Sequence, residues 1–252
     1  MSNIPKLVHY CWFGNQEMPM DLKKYVNNWK YILNDYEIVE WNESNFNISS
    51  LPFTQEAYDS KMWAFVSDYV RTFVLYKYGG IYLDTDMELI NNFDHLLNNE
   101  AFCGFESMSH LGTAVLGSKQ GNPWIKDMLD VYNDKHFINK DGTLDKTPNV
   151  RFFTTITEQK YKLKINNKFQ QLSDVTIYPI DYFYPKNYFT KKTKITEDTI
   201  GIHHWCSSWC DPEDPTFKSK IINFMYSALG ENITSQLRKT YKKLLKTNKI
   251  DY

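Results

Sequence analysis

The chain of 252 residues contains no run of about 20 predominantly apolar residues, the length that a membrane-spanning helix needs. Its most apolar segment, from Phe65 to Leu83, is interrupted by Asp68, Arg71 and Lys77, and therefore reads as a buried element of a folded core. Charge of one sign is also lacking, with Lys+Arg at 29, Asp+Glu at 30 and a net charge of -1. That balance excludes a globally basic nucleic-acid binder and an acidic disordered chain. Cysteine is scarce: Cys11, Cys103, Cys206 and Cys210 are the only four. The opening Met1-Ser2-Asn3-Ile4-Pro5-Lys6 lacks a basic region followed by an apolar run. The expectation is therefore a cytoplasmic protein with reduced thiols and no secretory signal. No internal repeat or low-complexity linker divides the chain.

What the sequence does have is aromatic residues, 16% of the total, with Trp 7, Tyr 18 and Phe 16. Aromatics on this scale fill cores, and they also make flat platforms for bases and sugars.

The patterning predicts one α/β domain. Leu7 to Phe13 reads as a buried strand ending at Gly14-Asn15. Leu22, Tyr25, Val26, Trp29, Ile32 and Leu33 recur at helical spacing and predict an amphipathic helix from Met20 to Leu33. Tyr36 to Trp41 reads as a second strand. A long helix is predicted from Gln55 to Tyr78, ended by Gly79-Gly80 as a left-handed cap, and Ile81-Tyr82-Leu83 as the next strand. This alternation predicts a parallel sheet with right-handed crossovers. Beyond it, strands are predicted at Ala101 to Glu106, Thr113 to Gly117, Val175 to Pro179 and Ile200 to Trp205. Helices are predicted at Pro123 to Tyr132, after Thr154, and over Phe217 to Leu245.

Asp84-Thr85-Asp86 follows the third strand. Chance gives roughly three or four acid-x-acid spacings in a chain this acidic, so only context lends the pair weight. The carboxyl edge of a parallel sheet is where ligands bind. Two carboxylates there repel by about 4 kcal/mol at ~4 Å unless a cation intervenes. Hard divalent ions such as Mg²⁺ or Mn²⁺ take oxygen ligands and share their shell with phosphates. On the preceding helix, Asp68 and Arg71 lie three apart on one face, either as a structural ion pair or aimed at a ligand.

Ser67-Asp68-x-x-Arg71 followed by Tyr78-Gly79-Gly80-Ile81-Tyr82-Leu83-Asp84-Thr85-Asp86 resembles the signature of DXD-containing glycosyltransferases of family 32. These are the capsular-polysaccharide and Och1-like mannosyltransferase-related enzymes, and the glucosylating clostridial toxins are similar across the same stretch. Ile4-Pro5-Lys6-x-x-His9-Tyr10-Cys11-Trp12-Phe13-Gly14 is similar to the opening strand of that family. The resemblance implies a GT-A type fold: a Rossmann-like nucleotide-sugar-binding sheet with flanking helices, here with a C-terminal helical tail. It implies that Asp86 coordinates a Mn²⁺ or Mg²⁺ ion bridging the donor phosphates and that Asp84 contacts ribose or sugar and supports the metal. Asp68 and Arg71 would hold the hydroxyls of the donor sugar, with Ser67 and Tyr82 in the binding wall. Trp12 would stack on the base, with Tyr10 and Phe13 as alternatives. It further implies a retaining reaction. No carboxylate is marked as the nucleophile, so front-face and double displacement both stand.

His203-His204-Trp205-Cys206-Ser207-Ser208-Trp209-Cys210 can be read as a structural zinc site, but it lacks a second Cys-x-x-Cys pair. The resemblance gives another reading. His203 completes the metal shell, with His204 as the alternative ligand, and Ser208-Trp209 closes over the diphosphate. If the segment is a strand, the two histidines point to opposite faces.

Past Asp214 the sequence is basic and amphipathic, suited either to a solvated face or to an anionic membrane surface. The expected organisation is a transferase domain over 1–215 and a basic helical extension over 216–252. The expected partners are a nucleotide-sugar donor, UDP-hexose favoured, and a glycan or lipid-linked acceptor, with no nucleic acid. The extension would give peripheral contact at the inner face of the membrane. Competing readings are a toxin-like protein glycosyltransferase, a non-catalytic nucleotide- or sugar-binding protein, and a dehalogenase-type phosphatase. The last expects its acid pair on the first strand. Asp86→Asn is expected to abolish activity with little change in melting temperature.

Overall fold

The structure, a computed structural model, describes residues 2–206, so Trp209, Cys210 and the extension over 216–252 lie outside the described residues. Strand β1 (Leu7–Cys11) leads through helix α1 (Met20–Ile32) to β2 (Glu37–Trp41). The chain returns through α2 (Pro52–Asp59) and α3 (Trp63–Tyr78) to β3 (Gly80–Leu83). β1 pairs in parallel with both β2 and β3, so the winding direction reverses between β1 and β3. At such a switch point the two connections leave in opposite directions and a crevice opens beyond the carboxyl ends of the strands.

The remaining elements are β4 (Met87–Leu89), β5 (Ala101–Gly104), β6 (Val115–Ser118), α4 (Pro123–Asp130), α5 (Val150–Tyr161), β7 (Gln170–Gln171), β8 (Thr176–Tyr178), α6 (Ile180–Phe183) and β9 (Gly201–His203). The main sheet runs β2-β1-β3-β6-β5-β8-β7, with helices packed on it. The α/β class is as expected, but the sheet is not wholly parallel. β6 runs antiparallel to both β3 and β5, and β7 runs antiparallel to β8. No helix joins β5 to β6, and a connection without a helical crossover allows adjacent strands to reverse.

Period-two alternation assigns the side chains to two cores. Val8, Tyr10, Ile81 and Leu83 face the layer containing Trp29 of α1. Cys11, Tyr82 and Cys103 face the layer of α2, α3, α4 and α5.

The single long helix expected before β3 is two helices. Lys61, at φ 57°, closes α2 with a Schellman pattern: Met62 N–H donates to Ala57 O (2.9 Å) and Lys61 N–H donates to Tyr58 O (2.8 Å). A lysine in place of glycine hid this stop. Gly79 ends α3 at φ 69°, and its ψ of -168° belongs to the extended mirror region instead of the left-handed helix. β9 is shorter than the strand expected over Ile200 to Trp205 and pairs antiparallel with β4, opposing Met87 to His203.

Candidate active site

A cleft of about 1050 Å³ opens at the carboxyl ends of β1 and β3. Asp84 follows Leu83 and extends the strand geometry, its N–H donating to Ala114 O (2.9 Å). Its side chain shares the face of Tyr82 and meets α3, where Asp68 and Arg71 stand one helical turn apart. Arg71 is 5% exposed. Its Nη2 lies 2.9 Å from Asp68 Oδ1 and 3.3 Å from Asp84 Oδ1. Its Nη1 donates to Thr113 O (2.8 Å) and its Nε to Ser67 O (3.3 Å). Asn149, at the start of α5, donates from Nδ2 to Asp68 Oδ1 (2.8 Å) and accepts from Thr113 Oγ1 (2.9 Å). The result is a closed ring of Arg71, Thr113, Asn149 and Asp68. Burial raises the Asp68 carboxyl above its ordinary range, the charge of Arg71 opposing the rise. Arg71 stays charged, because Asp84 and Asp68 outweigh its desolvation.

Asp86 lies where the chain leaves the main sheet for β4, and the β4–β9 pairing brings His203 back beside it. His203 Nε2 is 3.1 Å from Asp86 Oδ1, and the Cys206 N–H donates to Asp86 Oδ2 (2.8 Å). Burial acts to raise the Asp86 carboxyl, but the His203 charge and these hydrogen bonds hold it down at about 2. Burial acts to lower His203, and Asp86, Asp84 and Glu106 together turn the shift upward. Asp84, Asp86 and His203 each present a ligand atom within 4.8 Å of the other two, the one such group among the described residues. Two carboxylates and an imidazole suit a divalent cation such as Mn²⁺ or Mg²⁺, and three protein donors leave positions for phosphate oxygens and water.

Toward β1, Trp12 lines the cleft with its ring held by an Nε1–H bond to Gln16 O (2.6 Å). Phe13 and Ser67 also line it, and Trp63 enters from the start of α3. Gly14, at φ 104°, lies against the Trp63 ring so closely that a Cβ would come within 2.7 Å of it.

Two expected site residues, Tyr10 and His204, are placed elsewhere, and a third, Tyr82, lies at the floor of the cleft. Tyr10 faces the α1 layer, packs edge-on against Trp29 and donates to Glu40 Oε2 (2.7 Å), because alternation turns it away from Cys11. His204 faces away from the acid pair, its Nε2 lying 2.7 Å from Glu88 Oε2 and its ring stacking on Tyr25 at 4.8 Å. Neither belongs to the group of possible metal ligands. Tyr82 is 1% exposed, with Arg71 over its ring at 4.6 Å and its hydroxyl donating to Asp84 Oδ1 (3.0 Å). It lines the floor of the cleft, with little surface left to water. Among the described residues the zinc reading gains no second cysteine: Cys206 is exposed, and Cys11 and Cys103 are buried.

The sequence reading missed Glu106, Thr113, Asn149 and Trp63. Glu106 carried a usable signal, since it is an acid at the carboxyl end of a predicted strand. Asn149 and Thr113 carried none, because only the fold brings them to Asp68 and Arg71.

Comparison with known proteins adds four findings. Residues 19–103 match the family model described as the glycosyltransferase sugar-binding region containing DXD motif. Over 133 residues, half of this chain, the protein is 36% identical to inositol phosphoceramide mannosyltransferase 3 of Schizosaccharomyces pombe, of which it spans 36% of the length. It is 28% identical over 223 residues to an uncharacterized glycosyltransferase of Acanthamoeba polyphaga mimivirus, covering 82% of this chain and 84% of that one. Among solved structures, the PaToxG glycosyltransferase superposes with a TM-score of 0.46 at 18% identity, over 62% of this chain and 69% of the other.

Proposed function

We propose that the chain is a retaining, divalent-metal-dependent glycosyltransferase of GT-A type. It moves a hexose from a nucleotide-diphosphate sugar, UDP- favoured over GDP-, to a glycan or lipid-linked acceptor in surface polysaccharide synthesis. The observation that carries this reading is the convergence of Asp84, Asp86 and His203 at the switch-point edge of the sheet. The match of residues 19–103 to the DXD sugar-binding region supports it independently.

In this reading the base stacks on Trp12, with Phe13 and Trp63 beside it. Held by Asp84, Asp86 and His203, a Mn²⁺ or Mg²⁺ ion supplies Lewis-acid stabilisation of the charge growing on the leaving diphosphate. Asp68 directs its Oδ2 toward a sugar hydroxyl, since Oδ1 is held by Arg71 and Asn149. Arg71 acts by positioning: its donors are aimed at Ser67, Thr113, Asp68 and Asp84, which pins both carboxylates at the cleft wall. The ceramide in the name of the yeast relative favours the lipid-linked acceptor. A cytoplasmic protein held at the inner face of the membrane by the basic extension over 216–252 fits that acceptor. No helix among the described residues is long and apolar enough to cross a membrane.

The test is incubation with UDP- and GDP-sugars in Mn²⁺ or in EDTA, measuring nucleotide release and nucleotide binding. Metal-dependent release from a UDP-hexose is the expected result. No metal-dependent turnover or binding with any donor overturns the reading.

A further inference from the structure

Resting on the donor-binding reading above, we propose that Glu106 is the acceptor-side carboxylate of the reaction. It accepts the hydrogen bond of the attacking hydroxyl and takes that proton as the new O–C1 bond forms. The hydroxyl attacks on the face of the sugar from which the diphosphate leaves, so the anomeric configuration is retained. The C1–O bond to the diphosphate breaks in the same step, and its electron pair leaves on the diphosphate.

The assignment starts from elimination. Four carboxylates line the cleft: Asp68, Asp84, Asp86 and Glu106. Asp68 is held by Arg71 and Asn149, Asp84 by Arg71 and Tyr82, and Asp86 by His203 and the Cys206 N–H. The Glu106 carboxylate makes no hydrogen bond or ion pair with any described residue. Its backbone, in contrast, is fixed: the N–H donates to His110 O (3.0 Å), closing the turn that follows β5. A carboxylate partly withdrawn from water with no donor among the described residues is a group whose partner can come with the substrate.

Position then separates the acceptor from the donor. β5 runs parallel to β3, because both are antiparallel to β6 between them. Glu106, two residues past β5, therefore emerges at the same sheet edge as Asp84. One intervening strand separates the two ends, roughly 10 Å at the usual strand spacing. Trp12 lies past β1, on the other side of β3. The order along the edge is base platform, metal ligands, Glu106. A nucleotide sugar laid along it, its sugar folded back beside the diphosphate, presents C1 to a hydroxyl that approaches on the diphosphate side from the direction of Glu106. Ser107, Ser109 and His110 of the same turn also line this end of the cleft and give it the polar character that a glycan hydroxyl array requires. Burial pushes Glu106 up to about 7, a value matched to taking a proton near neutral pH.

Glu106→Gln and Glu106→Ala test this with UDP-hexose and Mn²⁺, water serving as the smallest acceptor hydroxyl. In both variants kcat for donor hydrolysis should fall about 10²-fold, the ordinary worth of a positioned base. The affinity for UDP with Mn²⁺, read by calorimetry, should stay within about twofold, and the melting temperature should match or exceed that of the parent, because an unpartnered buried carboxylate is removed. Turnover within about threefold of the parent in either variant overturns the proposal. A parallel loss of UDP affinity, or a fall in melting temperature, does so too, by making Glu106 a donor ligand or a structural group. A hexosyl adduct on Glu106 by intact-protein mass spectrometry overturns it in favour of a nucleophile. If the parent binds no UDP with Mn²⁺ and turns over no donor, the reading beneath the proposal fails, and the proposal falls with it.

Discussion

Arg71 directs every arm of its guanidinium into the protein, at Ser67, Thr113, Asp68 and Asp84. Two of these partners are partly buried carboxylates that would otherwise repel. Arg71→Met keeps the apolar stem and removes the charge, so both acids lose their counter-ion. The expected cost is about 3–5 kcal/mol, the range for breaking a buried pair by deleting one partner, measured by urea unfolding. A cost under about 1 kcal/mol would mean that the pair is solvated and the ring unimportant. Asp86 invites a second prediction. Asp86→Asn should abolish metal-dependent turnover, but the melting temperature should also drop. The expectation of an unchanged melting temperature does not suit a carboxylate that accepts from both His203 and the Cys206 N–H. Losing a charge-assisted partner there costs about 1.5–3 kcal/mol, readable by thermal unfolding in EDTA.

The elements that deliver these residues depend on their ends. α3 must stop abruptly for β3 to start beside β1, and Gly79-Gly80 makes that reversal at φ 69° and 104°. At Gly80 a Cβ would lie 2.4 Å from Leu7 O, a backbone atom that cannot move without disturbing the sheet. Gly121 also has a positive φ, 70°, but nothing lies within 4 Å of a Cβ there. Gly80→Ala should therefore cost more than about 2 kcal/mol, and Gly121→Ala about 1 kcal/mol or less, by chemical denaturation. Equal costs would show that the conformation alone, and not the close approach, governs both sites. The β4–β9 ribbon is the other delivering element. It is short, and its register sets His203 toward Asp86 and His204 toward Glu88. A slip of one residue would exchange the two histidines.

At the scale of the whole molecule, His9 ties three parts of the chain together. Trp41 of β2 donates to its Nδ1 (3.1 Å), so Nε2 carries the proton and donates to Gly79 O (2.8 Å) at the end of α3. Burial lowers its pKa to about 4, the Gly79 carbonyl opposing the shift. The folded value lies below the ordinary 6.5, so the unfolded chain takes up the proton first as pH falls. Stability is present above pH 6.5 and lost on the way down to 4. His203, shifted the other way, makes its contribution fully below 6.5, and the raised Asp68 and Glu106 carboxyls add stability as pH falls through the same window, so the His9 step is read as the difference between the parent and His9→Gln. Relative to His9→Gln, the unfolding free energy of the parent should fall by about 1 kcal/mol between pH 6.5 and 5.5. His9→Gln should remove that step, and an unaltered step in the variant would assign it elsewhere.

The same scale separates what sequence determines from what tertiary structure decides. The alternation of apolar residues and the Gly79-Gly80 stop make the first three strands, α1 and α3 legible, because hydrophobic period and backbone sterics are local. They also put Asp84 and Asp86 at a strand's carboxyl end, and Asp68 and Arg71 on one helix face. Local pattern says nothing about which strand lies beside which. The mixed order β3-β6-β5, the Schellman end at Lys61 and the return of β9 to β4 all rest on contacts between distant segments. Those contacts choose His203 over His204, turn Tyr10 into the α1 layer, sink Tyr82 beneath Arg71, and leave Glu106, alone among the cleft acids, with no hydrogen-bond partner among the described residues. The sequence by itself determined that this chain would carry a pair of acids at a sheet edge. Only the tertiary structure decided which groups surround them, because burial and pairing are properties of neighbours that the chain brings together from far apart.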